Sequence, residues 1–382
     1  MSKIEVIEAL STVIGCIIGA GIFGIPYVVA RAGFLTGLLG LIFIGLSVML
    51  LYLYLGEVVL RTRGKHQMTG YAEIYLGKWG KRVMLFSMLI GLYGALIAYF
   101  IGEGESISSL LGGNPKYYMV GFFFLVSSLL YMGLKALEES ESISMFFVLV
   151  VVAILAIFSF PHIKTENLVS FDITKFFIPY GVILFAYTGA ISIPEANEIL
   201  TKEKRKLKKV IIMGLLIPMV VYIVFSVIVV GSIGLDGFLS LEPNKRIATI
   251  ALGEVISPKL FFIANILAIL TMFTSFMAVG FALQEMFIYD YNMPKKVAWA
   301  LTCFIPLFIA LSGFTNFIQA LDISGTIAGG ISCILIILMF HKAKRIGERK
   351  PEYEIKSNKA ISIALLMLFI VGIVFLFMHS TP

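Results

Sequence analysis

Ile17-Ile18-Gly19-Ala20-Gly21-Ile22-Phe23-Gly24-Ile25-Pro26 sets three glycines and a proline inside one apolar stretch. Both residue types weaken helix continuity, glycine through backbone freedom and proline through its missing N–H. Where water is absent, the freed backbone groups need partners, so such a break survives only against protein or beside a water-filled cavity. A second stretch, Phe185-Ala186-Tyr187-Thr188-Gly189-Ala190-Ile191-Ser192-Ile193-Pro194, carries similar punctuation. Gly21 to Pro26 aligns without a gap on Gly189 to Pro194, at an offset of 168 residues. Six residues alone are a weak match; two breaks half a chain apart strengthen it.

The residues around these stretches decide the solvent. Of 382 residues, 59% are hydrophobic and 14% charged, against about 45–50% and about 25% in a soluble chain. The apolar residues come in runs of about 20, the length that spans a bilayer. A soluble enzyme is excluded, and the chain reads as an all-α integral membrane protein. Eleven apolar segments fall near 8–31, 35–60, 83–111, 117–134, 143–160, 176–199, 209–234, 258–288, 297–313, 315–340 and 360–379. Two repeats of five spans are expected, at 1–165 and 166–341, followed by a loop and an eleventh span at 342–382. Because five is odd, the second repeat enters from the opposite side, as in transporters whose broken helices form a site near the midplane. The competing explanation is small-residue helix packing, with contacts such as Gly15 to Gly19.

With the N-terminus inside, 23 of the Lys and Arg residues fall on inner segments and 7 on outer ones. This bias predicts a cell-membrane protein with a cytoplasmic N-terminus and an extracellular C-terminus. It also accounts for the net charge of +7 without nucleic acid. Cys16, Cys303 and Cys333 lie in apolar stretches and make no disulfide framework. The four histidines have no metal-ligand spacing. Nothing calls for a cofactor, and no catalytic set is apparent. No phosphate-binding loop of the Gly-x4-Gly-Lys-Ser/Thr type is present, which disfavours an ATP-driven pump. The oligomeric state is not legible.

A half-helix that starts after Gly21 turns backbone N–H groups toward the midplane, where they suit a carboxylate. The break in the sixth span offers carbonyls suited to an ammonium. Together they describe a site for an α-amino acid, although other zwitterions fit the same chemistry. Thr271, Thr274 and Ser275 share one face of the eighth span. They read equally as oxygen ligands for a hard cation or as hydroxyls bonded to their own helix.

At these residues the sequence resembles the amino acid–polyamine–organocation superfamily, and within it the amino acid/auxin permeases and the hydroxy/aromatic amino acid permeases. The segments that carry the likeness are Ile18 to Pro26, Phe185 to Glu195, and Thr274-Ser275-Phe276-Met277-Ala278-Val279-Gly280. The resemblance implies a leucine-transporter-like fold and secondary amino-acid transport by alternating access. It implies a substrate carboxylate on the amides of Gly19, Ala20, Gly21 and Ile22. The amine would lie near Phe185, Ala186, Tyr187 and Gly189. In sodium-coupled relatives an ion would lie between carbonyls of Gly15 and Ile18 and the hydroxyls of Thr271, Thr274 and Ser275. Some proton-coupled relatives use a lysine of the fifth span instead. Residues 143–160 hold none, which tilts the expectation toward Na+ over H+. An exchanger or a membrane sensor is the alternative to a concentrating symporter.

Charges near a bilayer centre are costly and mark sites. Glu103 and Glu105 in the third span, Glu195 after the sixth-span break, and Arg31 with Asp322 at the outer side are the gate candidates. Glu57 and Glu285, near inner span ends, read as structural. Tyr93, Tyr99, Tyr180 and Tyr187 are candidates for the pocket wall, Tyr187 foremost.

Overall fold

A computed structural model of the chain describes residues 2–133, 141–201, 203–255 and 258–379. Lys135 and Lys202, counted above among the basic residues, lie outside the described residues, as do the side chains of Lys3 and Lys259. Among the described residues there is no strand. The helices are α1 (Ser2–Ile17), α2 (Ile25–Ala32), α3 (Phe34–Arg61), α4 (Met68–Leu111), α5 (Pro115–Met132), α6 (Glu141–Ser159), α7 (Tyr180–Ala186) and α8 (Ser192–Ile199). They continue with α9 (Leu207–Leu239), α10 (Ala248–Val255), α11 (Pro258–Tyr289), α12 (Lys295–Ser312), α13 (Phe317–Ser324), α14 (Gly330–Ile346) and α15 (Lys359–His379).

Seven described helical stretches are long and apolar enough to cross a membrane, and α1 with the helical segment from Ala20 to Ala32 forms an eighth, bent by 44°. The other expected spans fall on α5, on α6 and on the interrupted pair α7 and α8. Both predicted breaks are present, and their edges agree within one residue with the 168-residue offset. Burial separates inner from outer helices. In the stretch Phe317–Ile346, 67% of the apolar window is buried, against 28% in α15. The exposed Ile363, Met367, Ile370, Val374 and Phe377 of α15 therefore face outward, as lipid-facing side chains do.

Two departures from the expected spans matter for the site. The third span begins at Met68 rather than near 83, and turns at Gly77, whose φ of 74° a side chain would strain. The tenth span is not continuous. A π-helical segment, Gly325–Gly329, separates α13 from α14. Here the helix backbone closes on α7, so that a β-carbon at Gly325 would collide with Gly181 O. Such π segments are frequent at functional sites.

One face of the molecule gathers the first turns of α1, the end of α8 and the basic connections 62–67 and 347–358, joined by contacts of Thr201 with Glu5, Lys65 with Glu198 and Arg63 N–H with Glu348; it is called the basic face below. The last of these connections is packed rather than loose. Glu57, fully buried, pairs with Arg61 (2.9 Å) and Lys344 (2.8 Å) and accepts from Ile355 N (2.6 Å). Tyr353 donates to Leu53 O (2.8 Å). Burial, and then the Glu57 charge, hold the Tyr353 phenol well above its ordinary range, so it stays a donor. Glu57→Ala would leave two cations and an amide short of their acceptor. Arg61 keeps Glu354 (3.1 Å), so the expected loss is about 1–3 kcal/mol, below that of a fully buried pair. Thermal unfolding in detergent checks this, with Glu57→Gln expected to lie between the alanine variant and the parent.

Candidate functional site

The two breaks face each other. After α1 ends, Gly19 N–H turns back to Ile17 O (3.0 Å), which takes it off the ladder that would have used Gly15 O. A short 3-10 segment, Ala20–Phe23, follows before α2. The first amides of a helical segment have no partner within it. In the other break, α7 closes with Tyr187 N–H on Ile183 O (3.1 Å), and α8 resumes at Ser192. A β-carbon at Gly21 would stand 3.0 Å from Ala186 Cα and 3.2 Å from Phe185 Cδ1. Glycine allows this approach without strain, and any side chain would push the two breaks apart.

Two tyrosines from neighbouring helices hold the unwound backbone. Tyr222 of α9 places its hydroxyl 2.9 Å from Ile17 O and 2.8 Å from Ala186 O, one carbonyl from each break. Tyr52 of α3 accepts from Gly189 N–H (2.6 Å) and donates to Tyr187 O (2.9 Å). Both rings are buried. Tyr52 thus pairs an amide and a carbonyl of the second break, and the single Tyr222 proton is shared between Ala186 O and Ile17 O, which also accepts from Gly19 N–H; unpaired backbone groups are costly in an apolar interior. The sequence reading named neither residue. A tyrosine in an apolar helix is a hint only that its hydroxyl has a partner somewhere.

Between the breaks lies a cavity of about 210 Å³. Gly19, Gly21, Phe185, Ala186, Tyr187 and Gly189 line it, as do Tyr52 and Tyr99. Ala20 and Ile22 are fully buried and are not part of the wall. Of the other proposed wall tyrosines, Tyr93 donates instead to Leu301 O (3.2 Å), and Tyr180 is buried away from the cavity. Most of the wall is apolar, including Val48, Leu92, Ala95 and Met88, and the hydroxyls of Ser87, Ser324 and Ser332 punctuate it. The π segment contributes Ala328 and Gly329. An apolar pocket with a few convergent polar groups is the ordinary form of a small-molecule site.

The expected ion ligands are divided in their surroundings. Ser275 Oγ lies 3.7 Å from where a β-carbon of Gly19 would stand, and bonds the Tyr99 hydroxyl. Thr274 donates to its own helix, toward Leu270 O (3.2 Å) and Thr271 O (3.0 Å). Thr271 is fully buried, and so nearly is Ile18. Gly15 sits on the last turn of α1.

The gate candidates also separate. Asp322 packs at Gly181 at the start of α7, and Arg31 is the charge acting on it, without a direct ion pair between the two. Glu195 is exposed on the first turn of α8. One turn further along α8, Glu198 pairs with Lys65 (2.5 Å). Glu105 bonds Asn244 and lines a wide vestibule, about 810 Å³, on the face opposite the basic one. Glu103 is buried and lines neither space.

Two facing helix breaks around a small pocket, in a bundle of apolar helices, define a membrane transporter of the leucine-transporter-like fold. MhsT, solved in complex with L-phenylalanine, has the same fold, with a TM-score of 0.68, 13% identity and 97% of both chains covered. The chain matches the tryptophan/tyrosine permease family over residues 3–377, and it belongs to that family, one of permeases and not of enzymes. It is 26% identical to tyrosine-specific transport system 1 of Haemophilus influenzae, covering 93% of this chain and 92% of the relative. It is 25% identical to glutamine transporter 2 of Aliivibrio fischeri (89% and 88%) and 24% identical to the low affinity tryptophan permease of Proteus vulgaris (94% and 92%). Amino-acid transport across a membrane is thus the activity of its class.

Proposed function

We propose that this protein is a secondary active transporter of amino acids, aromatic ones foremost, which carries them across the cell membrane by alternating access and is driven by a cation gradient. The observation that carries the reading is the pair of facing breaks with a cavity between them. In this reading the carboxylate lies against the amides of Ala20 and Gly21, since Gly19 N–H and Ile22 N–H already donate to Ile17 O and Gly19 O, and the carbonyls at Phe185 to Tyr187 receive the ammonium. The apolar wall with Met84 and Met88 suits a large apolar side chain, since methionine adapts to irregular shapes. The names of the tyrosine and tryptophan relatives support the aromatic preference. The basic face is the cytoplasmic one in this reading, in keeping with the distribution of Lys and Arg.

Purified protein in liposomes preloaded with unlabelled L-phenylalanine tests this. External labelled L-phenylalanine, L-tyrosine or L-tryptophan should enter by counterflow, and an imposed H+ or Na+ gradient should then concentrate it. Counterflow with no concentration under either gradient would make the protein an exchanger. Binding without counterflow would make it a sensor. Either result would overturn the symport.

A further inference from the structure

Glu103 is fully buried, and neither of its carboxyl oxygens has a hydrogen-bond partner among the described residues. Ser106, three residues on and on the same face of α4, is also fully buried with its hydroxyl unpartnered. An ionised carboxylate isolated in an apolar interior is so costly that the group is neutralised instead. Among the described residues no cationic side chain pairs with it. On α4 itself, Glu105 turns to the vestibule, among Asn244, Glu242 and Lys245. Glu254 of α10 pairs with Lys245 (3.2 Å). On α5, Lys116 lines the vestibule. On α13, Asp322 stands with Arg31 at Gly181. The part of α11 that packs along this stretch of α4 has no charged residue from 264 to 280. Among the described residues none of these charged groups bonds either Glu103 oxygen.

The position of the group gives it a role. Helices α4 and α11 run antiparallel, with Tyr93 against Phe287, Tyr99 against Ser275, and Gly102 against Met272. Tyr99, one turn from Glu103 toward the basic face, lines the substrate cavity. Ile101 and Glu105 line the vestibule on the opposite side. Glu103 therefore stands in the wall between the two spaces.

Resting on the transport reading above, we infer that Glu103 is the proton site that couples transport, and that the wall over the substrate closes only when its carboxyl is protonated. When the wall opens to the vestibule, water reaches the carboxyl, which exchanges H+ with that side. Closing the wall removes the water, and only the neutral acid can follow. One proton is thereby enclosed with each substrate. The Tyr99 and Ser275 hydroxyls, one turn away, mark its way to the cavity, where it leaves as H+ to water; the carboxylate left behind disfavours the closed wall, which reopens to the vestibule, where the group takes up the next proton. This moves the coupling ion from Na+, which the lysine-free fifth span favours, to H+.

Glu103→Gln keeps the shape and is permanently neutral. In liposomes, its counterflow of labelled L-phenylalanine should persist within about threefold of the parent. Accumulation driven by an inside-alkaline gradient, at most about tenfold per pH unit for one proton per substrate in the parent, should vanish. A Na+ gradient at equal pH should drive none in either protein. The proposal is overturned by proton-driven accumulation in the variant, or by accumulation on a Na+ gradient alone in the parent. A second measurement needs only the parent: L-phenylalanine added to weakly buffered protein, with a pH indicator. Substrate binding should move protons between protein and solvent at some pH, and no proton movement at any pH tested would also overturn it. If the parent neither binds nor exchanges any amino acid, the transport reading itself fails, independently of Glu103.

Discussion

Gly21→Leu should weaken the binding of L-phenylalanine at least about 100-fold, which is about 2.8 kcal/mol, and abolish transport. The first added carbon already stands 3.0 Å from Ala186 Cα and 3.2 Å from Ala186 Cβ. Both atoms belong to the facing break, which cannot yield as the tip of a flexible side chain would. The rest of a leucine then occupies the space where the amides of the first break meet the carbonyls of the second. Overpacking of this kind costs about 1–3 kcal/mol even where no ligand is involved. The loss of binding adds to it, because the two breaks supply both ends of the proposed site. Gly21→Ala should be intermediate. Equilibrium binding to purified protein, with thermal unfolding as the control, separates loss of the site from loss of the fold. Wild-type affinity in Gly21→Leu would remove this glycine from the site.

Tyr52→Phe should be the next most damaging change. It deletes one oxygen and leaves two buried backbone groups unpaired, Gly189 N–H and Tyr187 O. At about 1–3 kcal/mol for each group, the break in the second half loses its geometry before the whole chain unfolds. Transport should fall at least about tenfold, since about 1.4 kcal/mol already corresponds to that factor. The thermal midpoint should fall as well. Tyr222→Phe deprives one carbonyl in each break of the same donor, and should act in the same direction. Uptake and unfolding measured on the same preparations check both variants.

Much of this was legible because the cause is local. Glycine and proline at 19–26 and 189–194 break helices whatever surrounds them, and in an apolar span that punctuation has few other uses. The glycines at 325, 329 and 330 carry a related sign, yet without a proline they read as an ordinary helix. Their π segment is set by the close approach to Gly181 on α7. The connection 347–358 has the composition of a loop, and its order depends on Glu57, far away in sequence, which no local pattern could pair with Ile355. For the same reason Tyr52 and Tyr222 were invisible: a hydroxyl announces a need for a partner, and only the packing of α3 and α9 against the breaks says which. Lys65, on the connection that follows α3, pairs with Glu198 on α8, a contact between distant stretches that no local pattern announces.

The central claim is that one break takes the carboxylate and the other the amine of the same molecule. Displacement of labelled L-phenylalanine from the purified protein tests it, with 3-phenylpropionate, which lacks the amine, and phenethylamine, which lacks the carboxylate. Each charge-assisted contact removed should cost about 1.5–3 kcal/mol, so both analogues should compete at least about tenfold more weakly than unlabelled L-phenylalanine. Either analogue displacing the label as well as the amino acid does would contradict the account.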